Sequence, residues 1–147
     1  MTSMRRKVLW SIGAVILLAQ FFQPDRSVHE ADPAQDFITI THPSEEIAHL
    51  LHITCYDCHS AHTNYPWYSY VTPVNFWLQH HINEGRDEFN MSEWGARSAK
   101  WRIKKLKRAA HELKEGDMPL PSYTWLHGEA QLTNAQRRSL IDYFAGL

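Results

Sequence analysis

The amino-acid sequence predicts an all-α domain, and three observations support that prediction. Helix-capping residues stand before several segments whose apolar residues recur at helical spacing. No stretch shows the alternating pattern of a convincing strand. The only two cysteines among the 147 residues lie one helical turn apart, at positions 55 and 58. We therefore expect about four helices in a single domain over residues 44–147, preceded by an N-terminal segment (1–23) and a tether (24–43).

The N-terminal segment has the charge pattern of an export signal. A basic cluster at residues 5–7 precedes a charge-free, mostly apolar run of 15 residues from Val8 to Phe22. As a helix this run covers about 22 Å, less than the roughly 30 Å hydrocarbon core of a bilayer. No small-residue cleavage site follows it, so we favour a membrane anchor over residues 8–22 to a cleaved signal peptide. The rest of the chain is then expected on the periplasmic side of the bacterial inner membrane, with a soluble periplasmic form as the alternative.

The tether leads into a short helix that carries both cysteines. Residues 24–43 contain three prolines and little periodicity, which predicts a tether or a strap over the domain surface. Ser44 is a good N-cap, and Glu45 and Glu46 follow where the helix dipole favours negative charge. An apolar face continues from this helix into the cysteine pair. Its members are Ile47, Leu50, Leu51, Cys55 and Cys58.

Three further helices are predicted from caps and apolar stripes. The first starts at residues 72–73 and ends near Gly85. The second spans residues 98–115, and the last opens with a capping box of Thr133 and Gln136. The expected stripes consist of Val74, Trp77, Leu78, His81 and Ile82 in the first, Ala99, Ile103, Leu106, Ala110 and Leu113 in the second, and Leu140, Ile141 and Phe144 in the third.

The cysteine pair belongs to the string Cys55-Tyr56-Asp57-Cys58-His59, the attachment pattern of c-type haem. Two thiols one helical turn apart can add to the two vinyl groups of one porphyrin edge. The histidine that follows can donate an imidazole nitrogen to the iron. The string therefore predicts one covalently attached haem c, with Cys55 and Cys58 as its thioether links and His59 as the proximal ligand.

Three other uses of the same residues stay open. A thioredoxin-like dithiol has this spacing, but it occurs near a βαβ pattern, which the sequence lacks. A zinc site could combine Cys55, Cys58 and His62, although no second close-spaced ligand pair follows. A plain disulfide between the two cysteines is the simplest alternative. The export segment favours haem, because c-type haem is attached outside the cytoplasm.

A methionine in a proline-rich loop is the candidate for the second axial ligand. Met118 lies between the last two predicted helices. Its thioether sulfur is a soft ligand for haem iron, and His/Met ligation raises the reduction potential. Pro119 restricts the preceding backbone to extended conformations, which helps to hold the side chain. The alternatives are a gap-filling core methionine at this position, ligation by Met91, His80 or His81, and an open site.

Aromatic residues after the motif predict contacts with a flat, apolar group. The loop of residues 64–70 contains four aromatic side chains around Pro66, and Trp77 lies on the helix that follows. We expect Tyr65, Trp67 and Trp77 to pack against the haem, with ordinary core packing as the alternative.

The helix within residues 97–114 is strongly basic away from its apolar stripe. Such a run often indicates nucleic-acid binding, but an exported protein rarely meets nucleic acid, and we expect none as a partner. The remaining interpretations are an ordinary solvated helix face and a docking site for an acidic redox partner protein.

Taken together, these residues resemble the small exported haem-binding-domain proteins of bacteria, a branch of the c-type cytochromes. The resemblance covers nearly the whole chain and rests on the cysteine–histidine motif, the loop of residues 64–68, the run of residues 74–94 and the loop of residues 118–123. It implies a cytochrome c-like helical bundle around covalent haem c, with His59 and Met118 on the iron. The order of helices, motif and loop methionine also resembles monohaem cytochrome c in general.

This combination predicts one-electron transfer in preference to catalysis, because His/Met ligation leaves no open position on the iron. The alternative is a haem-based sensor or ligand-binding module, in which Met118 is displaced or never binds. A weak peroxidase is the third interpretation. It requires an open iron face and an acid–base group such as His62 or His81.

Overall fold

Helices account for all the regular secondary structure in the computed structural model, which describes residues 2–28 and 30–147. The described residues contain no strand, so the all-α prediction is confirmed. The helices are α1 (Thr2–Ala19), α2 (Phe37–Thr41), α3 (Glu45–Leu51), α4 (Asp57–His59), α5 (Val74–Glu88), α6 (Ala99–Glu115), α7 (Pro121–Thr124) and α8 (Asn134–Gly146). Short 3₁₀ turns lie at Pro33–Gln35, Trp67–Tyr70, Met91–Ala96 and Gly128–Ala130, and a π turn, His52–Tyr56, joins α3 to α4.

The predicted helix ends are confirmed where a local cap determines them. Ser44 caps α3, Ser98 caps α6, and Thr133 caps α8 in a complete capping box with Gln136. Gly116 ends α6 with a φ of 84°, a left-handed conformation that glycine adopts at little cost. These ends are set by residues adjacent in sequence, which is why the sequence alone identifies them.

The core lies where α6 packs along α8, with α3 against α8 and α2 against the turn of residues 91–96. Phe37, on α2, is fully buried at its centre. Its ring makes edge contacts with the rings of Phe89, Trp94 and Phe144, at centroid distances of 6.1, 4.9 and 6.0 Å. Edge-to-face contacts of this kind add to the free energy of burial.

The burial of Phe37 corrects the boundary of the predicted tether. The second half of residues 24–43 is part of the folded domain, because Asp36 caps α2 and accepts a hydrogen bond of 2.7 Å from the hydroxyl of Tyr56. A five-residue helix is too short to show a helical period. The prolines on either side of α2 therefore led to the prediction of an irregular tether in this segment.

The predicted apolar stripe of α5 is only partly right, since Ile82 is buried as expected but Val74 and Trp77 are not. Its buried side chains include Asn75 and Gln79 beside Ile82, whereas Val74 and Trp77 are 39% and 48% exposed. The polar groups are buried because they have partners. Asn75 Nδ2 donates to Thr72 Oγ1, and Gln79 accepts from the hydroxyl of Tyr65 and donates to Asn83. Hydrogen-bonded polar groups tolerate burial that unpaired ones do not.

The stripe predicted for α6 is only partly right. Leu106 and Leu113 are buried as expected, but Ile103 is 53% exposed and Ala99 is also exposed. Lys105 takes an inward position instead, with its side chain only 12% exposed. The buried face of α6 is thus rotated toward Lys105 and Ala109, which changes what the helix presents to the functional site.

The prediction that α5 ends at Gly85 is also wrong, since the helix continues to Glu88. The glycine has a different role. A Cβ atom added at Gly85 would lie 2.6 Å from the carbonyl oxygen of Cys58, closer than real Cβ contacts. Gly85 therefore lets α5 approach α4 backbone to backbone, and this approach fixes the position of the cysteine–histidine motif.

The predicted anchor segment forms most of α1, whose apolar side chains are largely exposed. Within the described residues, no helix combines the length and the apolar character needed to cross a membrane.

Candidate haem site

The cysteine–histidine motif lies across a change of helical geometry. Cys55 belongs to the π turn after α3, and Cys58 and His59 belong to the single helical turn of α4. Side-chain hydrogen bonds hold this segment, with Thr54 Oγ1 donating to the carbonyl of Leu50 at 2.7 Å and Ser60 Oγ to that of Tyr56 at 2.7 Å. π turns inside helices are frequent at functional sites.

One cavity brings together three residues that the sequence singled out. Cys55, His59 and Met118 line a space of about 770 Å³ that is partly open to solvent. The rest of the wall is mostly apolar. It also contains four charged side chains, which form ion pairs with one another. The apolar residues are Phe89, Met91, Ala109, Leu113, Pro119 and Phe144, and the charged ones are Glu88, Lys105, Arg108 and Glu112.

His59 is prepared to act as a ligand. Its Nδ1 lies 3.1 Å from the carbonyl oxygen of Phe89. Since a carbonyl only accepts hydrogen bonds, the proton is on Nδ1 and the lone pair is on Nε2. Burial lowers the pKa of the His59 imidazole, which favours the neutral form. Metal-binding histidines typically have their second nitrogen fixed by such a bond.

The two cysteines differ in their surroundings. Burial raises the pKa of the Cys55 thiol to about 11 and that of the Cys58 thiol to about 12. Reactive dithiols have lowered pKa values instead, so the thioredoxin-like alternative gains no support. Cys55 lines the cavity, whereas Cys58 does not and packs against Gly85.

The zinc alternative is also without support. In the part of the chain that the structure describes, no group of three or more histidine, cysteine, aspartate or glutamate side chains is placed to hold a metal ion. His62 is exposed and lies on a separate hollow with His52, Tyr123 and His127.

Met118 reaches the cavity from the loop between α6 and α7, and backbone hydrogen bonds hold that loop. Arg137, on α8, donates through Nη1 to the carbonyls of Leu113 and Met118, at 2.7 and 3.0 Å. The backbone N–H of Met118 donates to the carbonyl of Glu112 at 3.3 Å. The methionine is half-buried, and its position depends on the packing of α8 against α6.

Tyr123 connects the methionine loop to the cysteine–histidine motif. Its hydroxyl donates to Asp57 Oδ2 at 2.7 Å and lies 3.3 Å from the carbonyl of Ile53. Burial and the neighbouring carboxylate raise the pKa of Tyr123, which keeps the phenol a donor. The contact between Tyr123 and Asp57 could not be predicted from the sequence, because the two residues lie 66 positions apart.

Lys105 and Arg108 bring positive charge to the cavity wall. Lys105 Nζ lies 2.8 Å from Glu88 Oε2, and the hydrogen bond with Lys105 lowers the pKa of the Glu88 carboxyl. In the sequence both cations belong to the basic face that was expected to be solvated. Lys105 and Arg108 are three positions apart, and Arg108 and Glu112 are four apart, so the three side chains lie on one helix face. This spacing could have distinguished the two cations from the solvated ones.

The aromatic contacts predicted for Tyr65, Trp67 and Trp77 are not made at this cavity, since none of the three lines it. The hydroxyl of Tyr65 donates to Gln79, and Trp67 is 78% exposed. The aromatic side chains in the wall are Phe89 and Phe144. Neither is close to the motif in sequence.

Of the three other predicted ligands, one lines the cavity and two lie outside it. Met91 is 1% exposed and lines the same cavity. His80 and His81 lie outside it, near Glu84 on the outer side of α5.

A helical domain that presents a histidine nitrogen and a thioether sulfur on one largely apolar cavity, beside the cysteine–histidine motif, has the features of a haem protein. The comparison with protein families is consistent with this. The chain belongs to the haem-binding domain family, whose model matches residues 14–146, and a haem-binding domain is therefore present. No curated protein and no solved structure matches the chain.

Proposed function

We propose that this protein is an exported monohaem c-type cytochrome that transfers single electrons. The observation that carries the proposal is the cavity on which Cys55, His59 and Met118 meet. The family supports haem as the ligand of this cavity. The covalent links through Cys55 and Cys58, the single haem and the axial ligands His59 and Met118 are parts of the proposal.

The residues of the cavity fit a haem in three respects. The wall is mostly apolar, as the porphyrin faces require. Nε2 of His59 carries a free lone pair, because the proton is on Nδ1, which donates a hydrogen bond to the carbonyl of Phe89. Lys105 and Arg108 are the cations that would bind the two carboxylate groups of the haem edge, in exchange for the ion pairs that they form with Glu88 and Glu112. When bound, haem supplies a reversible one-electron couple whose potential depends on its axial ligands and surroundings.

The protein's own contribution would be to hold both axial side chains and to limit access of water. Phe89 fixes the orientation of His59, and Arg137 fixes the backbone of Met118. An apolar wall favours the less charged state of the iron and so raises the reduction potential. With both axial positions filled, no substrate could bind the iron. This favours electron exchange over bond chemistry.

A second candidate function is a haem-based sensor or ligand-binding module. The observation that favours it is the location of Met118 on a loop, half-buried, in the wall of a cavity that is partly open to solvent. A peroxidase has less support. Neither of its proposed acid–base groups, His62 and His81, lines the cavity.

The proposed partner is an acidic redox protein. The cations of α6 that do not face the cavity, including Lys104 and Lys107, are exposed and available for docking. We further propose that the domain is located on the periplasmic side of the inner membrane, held there by residues 8–22.

Absorption spectroscopy of the exported, purified full chain tests the proposal. Covalent attachment predicts that the haem stays with the protein through acid–acetone extraction, and that a Cys55→Ala/Cys58→Ala variant loses it. Electron transfer predicts a six-coordinate, low-spin spectrum in both oxidation states and no change on adding carbon monoxide. A five-coordinate spectrum with rapid carbon monoxide binding would favour the sensor instead.

A further inference from the structure

An exposed apolar surface lies on residues 67–77, away from the cavity. Within these eleven positions six large apolar side chains are exposed, and Trp67 and Trp77 are exposed by 78% and 48%. We call them the aromatic face. They are Trp67, Tyr70, Val71, Val74, Phe76 and Trp77. Single exposed apolar residues are ordinary, but a group of this kind marks an interaction site.

The aromatic face is attached to the end of α1. Gln20, just after α1, both donates to and accepts from the backbone of Thr72, at 3.2 and 2.9 Å. Thr72 Oγ1 donates to the carbonyl of Phe22 at 3.1 Å. Gln23 Nε2 donates to the carbonyl of Tyr70 at 3.2 Å, and Asn75 Nδ2 donates to Gln23 Oε1 at 3.1 Å.

A cation strengthens this connection. Arg26 donates a hydrogen bond to the carbonyl of Ser69. Its guanidinium lies 4.5 Å from the centre of the Tyr70 ring and 5.5 Å from that of Tyr65, within the range of a cation–π contact. The end of α1 and the aromatic face therefore form one continuous unit.

The exposed side chains of α1 indicate what kind of partner this unit meets. Four consecutive residues, Val15, Ile16, Leu17 and Leu18, are 66%, 54%, 70% and 63% exposed. Four consecutive residues point to all sides of a helix, since each turn takes about 3.6 residues. A single protein surface could cover only one side of this part of α1, whereas an apolar solvent such as lipid surrounds the whole helix. Phe21 and Phe22 are 85% and 70% exposed at the junction with the aromatic face.

We propose that the aromatic face lies against the surface of a phospholipid bilayer whose apolar layer α1 enters. Tryptophan and tyrosine prefer the boundary between lipid chains and headgroups, where the ring is apolar and the N–H or O–H stays hydrated. Phospholipid is the partner that suits both parts, because the C-terminal part of α1 is apolar on every side and the aromatic face is continuous with its end. The proposal requires α1 to enter the lipid and does not require it to cross. It is independent of electron transfer.

This arrangement would fix the position of the cavity relative to the lipid. α5 begins with Val74 on the aromatic face and ends with Glu88 in the cavity wall. Its 15 residues span about 22 Å. The cavity and the aromatic face would therefore lie at opposite ends of this helix.

Site-specific crosslinking in membranes tests the proposal. Benzoylphenylalanine is placed in the full chain at the position of Trp67, Trp77 or Leu17, and at that of Ile103 as a control. Ile103 is 53% exposed on α6 and is not part of the aromatic face. After illumination of membranes that contain the protein, phospholipid adducts are measured by mass spectrometry. An unchanged haem spectrum in each variant shows that the fold is retained.

The proposal predicts several-fold more phospholipid adduct at positions 17, 67 and 77 than at position 103. Lipid adducts at position 17 without adducts at 67 and 77 would overturn it, because the domain would then stand off the bilayer. Adducts of positions 67 and 77 to protein would also overturn it, whether to a second copy or to another chain. An absence of lipid adducts at position 17 would show that α1 does not enter lipid, and the proposal would again be wrong.

Discussion

The two sides of the cavity are held in different ways. The side that carries Cys55 and His59 is built from contacts between close neighbours in sequence, such as Thr54 with Leu50 and Ser60 with Tyr56. The side that carries Met118 depends on Arg137, which lies 19 positions away, and on the contact of Tyr123 with Asp57 across 66 positions. The histidine side therefore combines local hydrogen bonds with contacts to α5 at Gly85 and to the carbonyl of Phe89, whereas the methionine side depends mainly on contacts with α8 and with the motif itself. We expect the methionine side to loosen first under stress.

The largest effect is expected from replacing His59. His59→Ala removes the proposed proximal ligand and leaves the carbonyl of Phe89 without its donor. We predict that most of the haem is lost during maturation, measured as haem per chain after purification. His62→Ala, three positions further at an exposed site, is the matched control and should keep the normal haem content. Equal haem content in the two variants would contradict the role of His59.

Arg137→Met should release the methionine side without affecting the histidine side. The variant keeps a similar apolar stem but removes the donor to the carbonyls of Leu113 and Met118. A hydrogen bond from a charged group is worth about 1.5–3 kcal/mol. Both bonds come from the single Nη1 atom of a half-buried side chain, so we count them as one and expect a loss of about 1.5–3 kcal/mol. Denaturant unfolding of the haem-loaded chain measures it, together with the absorption band of methionine-ligated haem.

The exposed neighbour Arg138 provides the control for that experiment. Arg138→Met should change neither the free energy of unfolding nor the methionine band. If Arg137→Met had as little effect, the methionine side would be held by something other than α8.

Gly85→Ala should disturb the histidine side instead. The new Cβ would lie 2.6 Å from the carbonyl oxygen of Cys58, and a backbone atom cannot move as easily as a side chain. Overpacking of this kind costs about 1–3 kcal/mol, partly offset by a gain in helix propensity of roughly 1 kcal/mol. The net destabilisation is measured by denaturant unfolding.

Gly128 serves as the matched position, because a Cβ there meets nothing within 4 Å. Gly128→Ala should be neutral or slightly stabilising. A stabilising effect of Gly85→Ala would show that α4 and α5 separate at no cost, and the close approach would then not position the motif.

Tyr123→Phe should have the smallest effect, about 1 kcal/mol. It removes the hydrogen bond to Asp57 that links the two sides, and it retains the ring. The expected result is a methionine band that disappears at lower denaturant concentration than in the unmodified protein, measured by absorption. Tyr143→Phe loses a hydroxyl bond to Thr41, and neither residue lines the cavity. This variant should lower the stability, but its methionine band should disappear together with global unfolding.

The sequence predicts the histidine side better than the methionine side for the same physical reason. Caps such as Ser44 and Ser98, and the cysteine–histidine motif, act over a few residues, so their effects can be inferred locally. The burial of Phe37, the polar inner face of α5 and the inward position of Lys105 depend on partners far along the chain. Aromatic residues adjacent to the motif were expected in the cavity, and Trp67 and Trp77 instead lie exposed on another surface.

The most direct test of the account compares two methionines in the cavity wall, Met118 and Met91. Met118→Leu and Met91→Leu each remove a sulfur while conserving volume, a change that usually costs less than about 1.5 kcal/mol. Reduction potential and carbon monoxide binding of the haem-loaded chain are measured for both. If Met118 is the axial ligand, Met118→Leu lowers the potential, removes the methionine band and allows carbon monoxide to bind, whereas Met91→Leu changes none of these. Unchanged properties in Met118→Leu would contradict the account, and their loss in Met91→Leu alone would assign the iron to the other methionine.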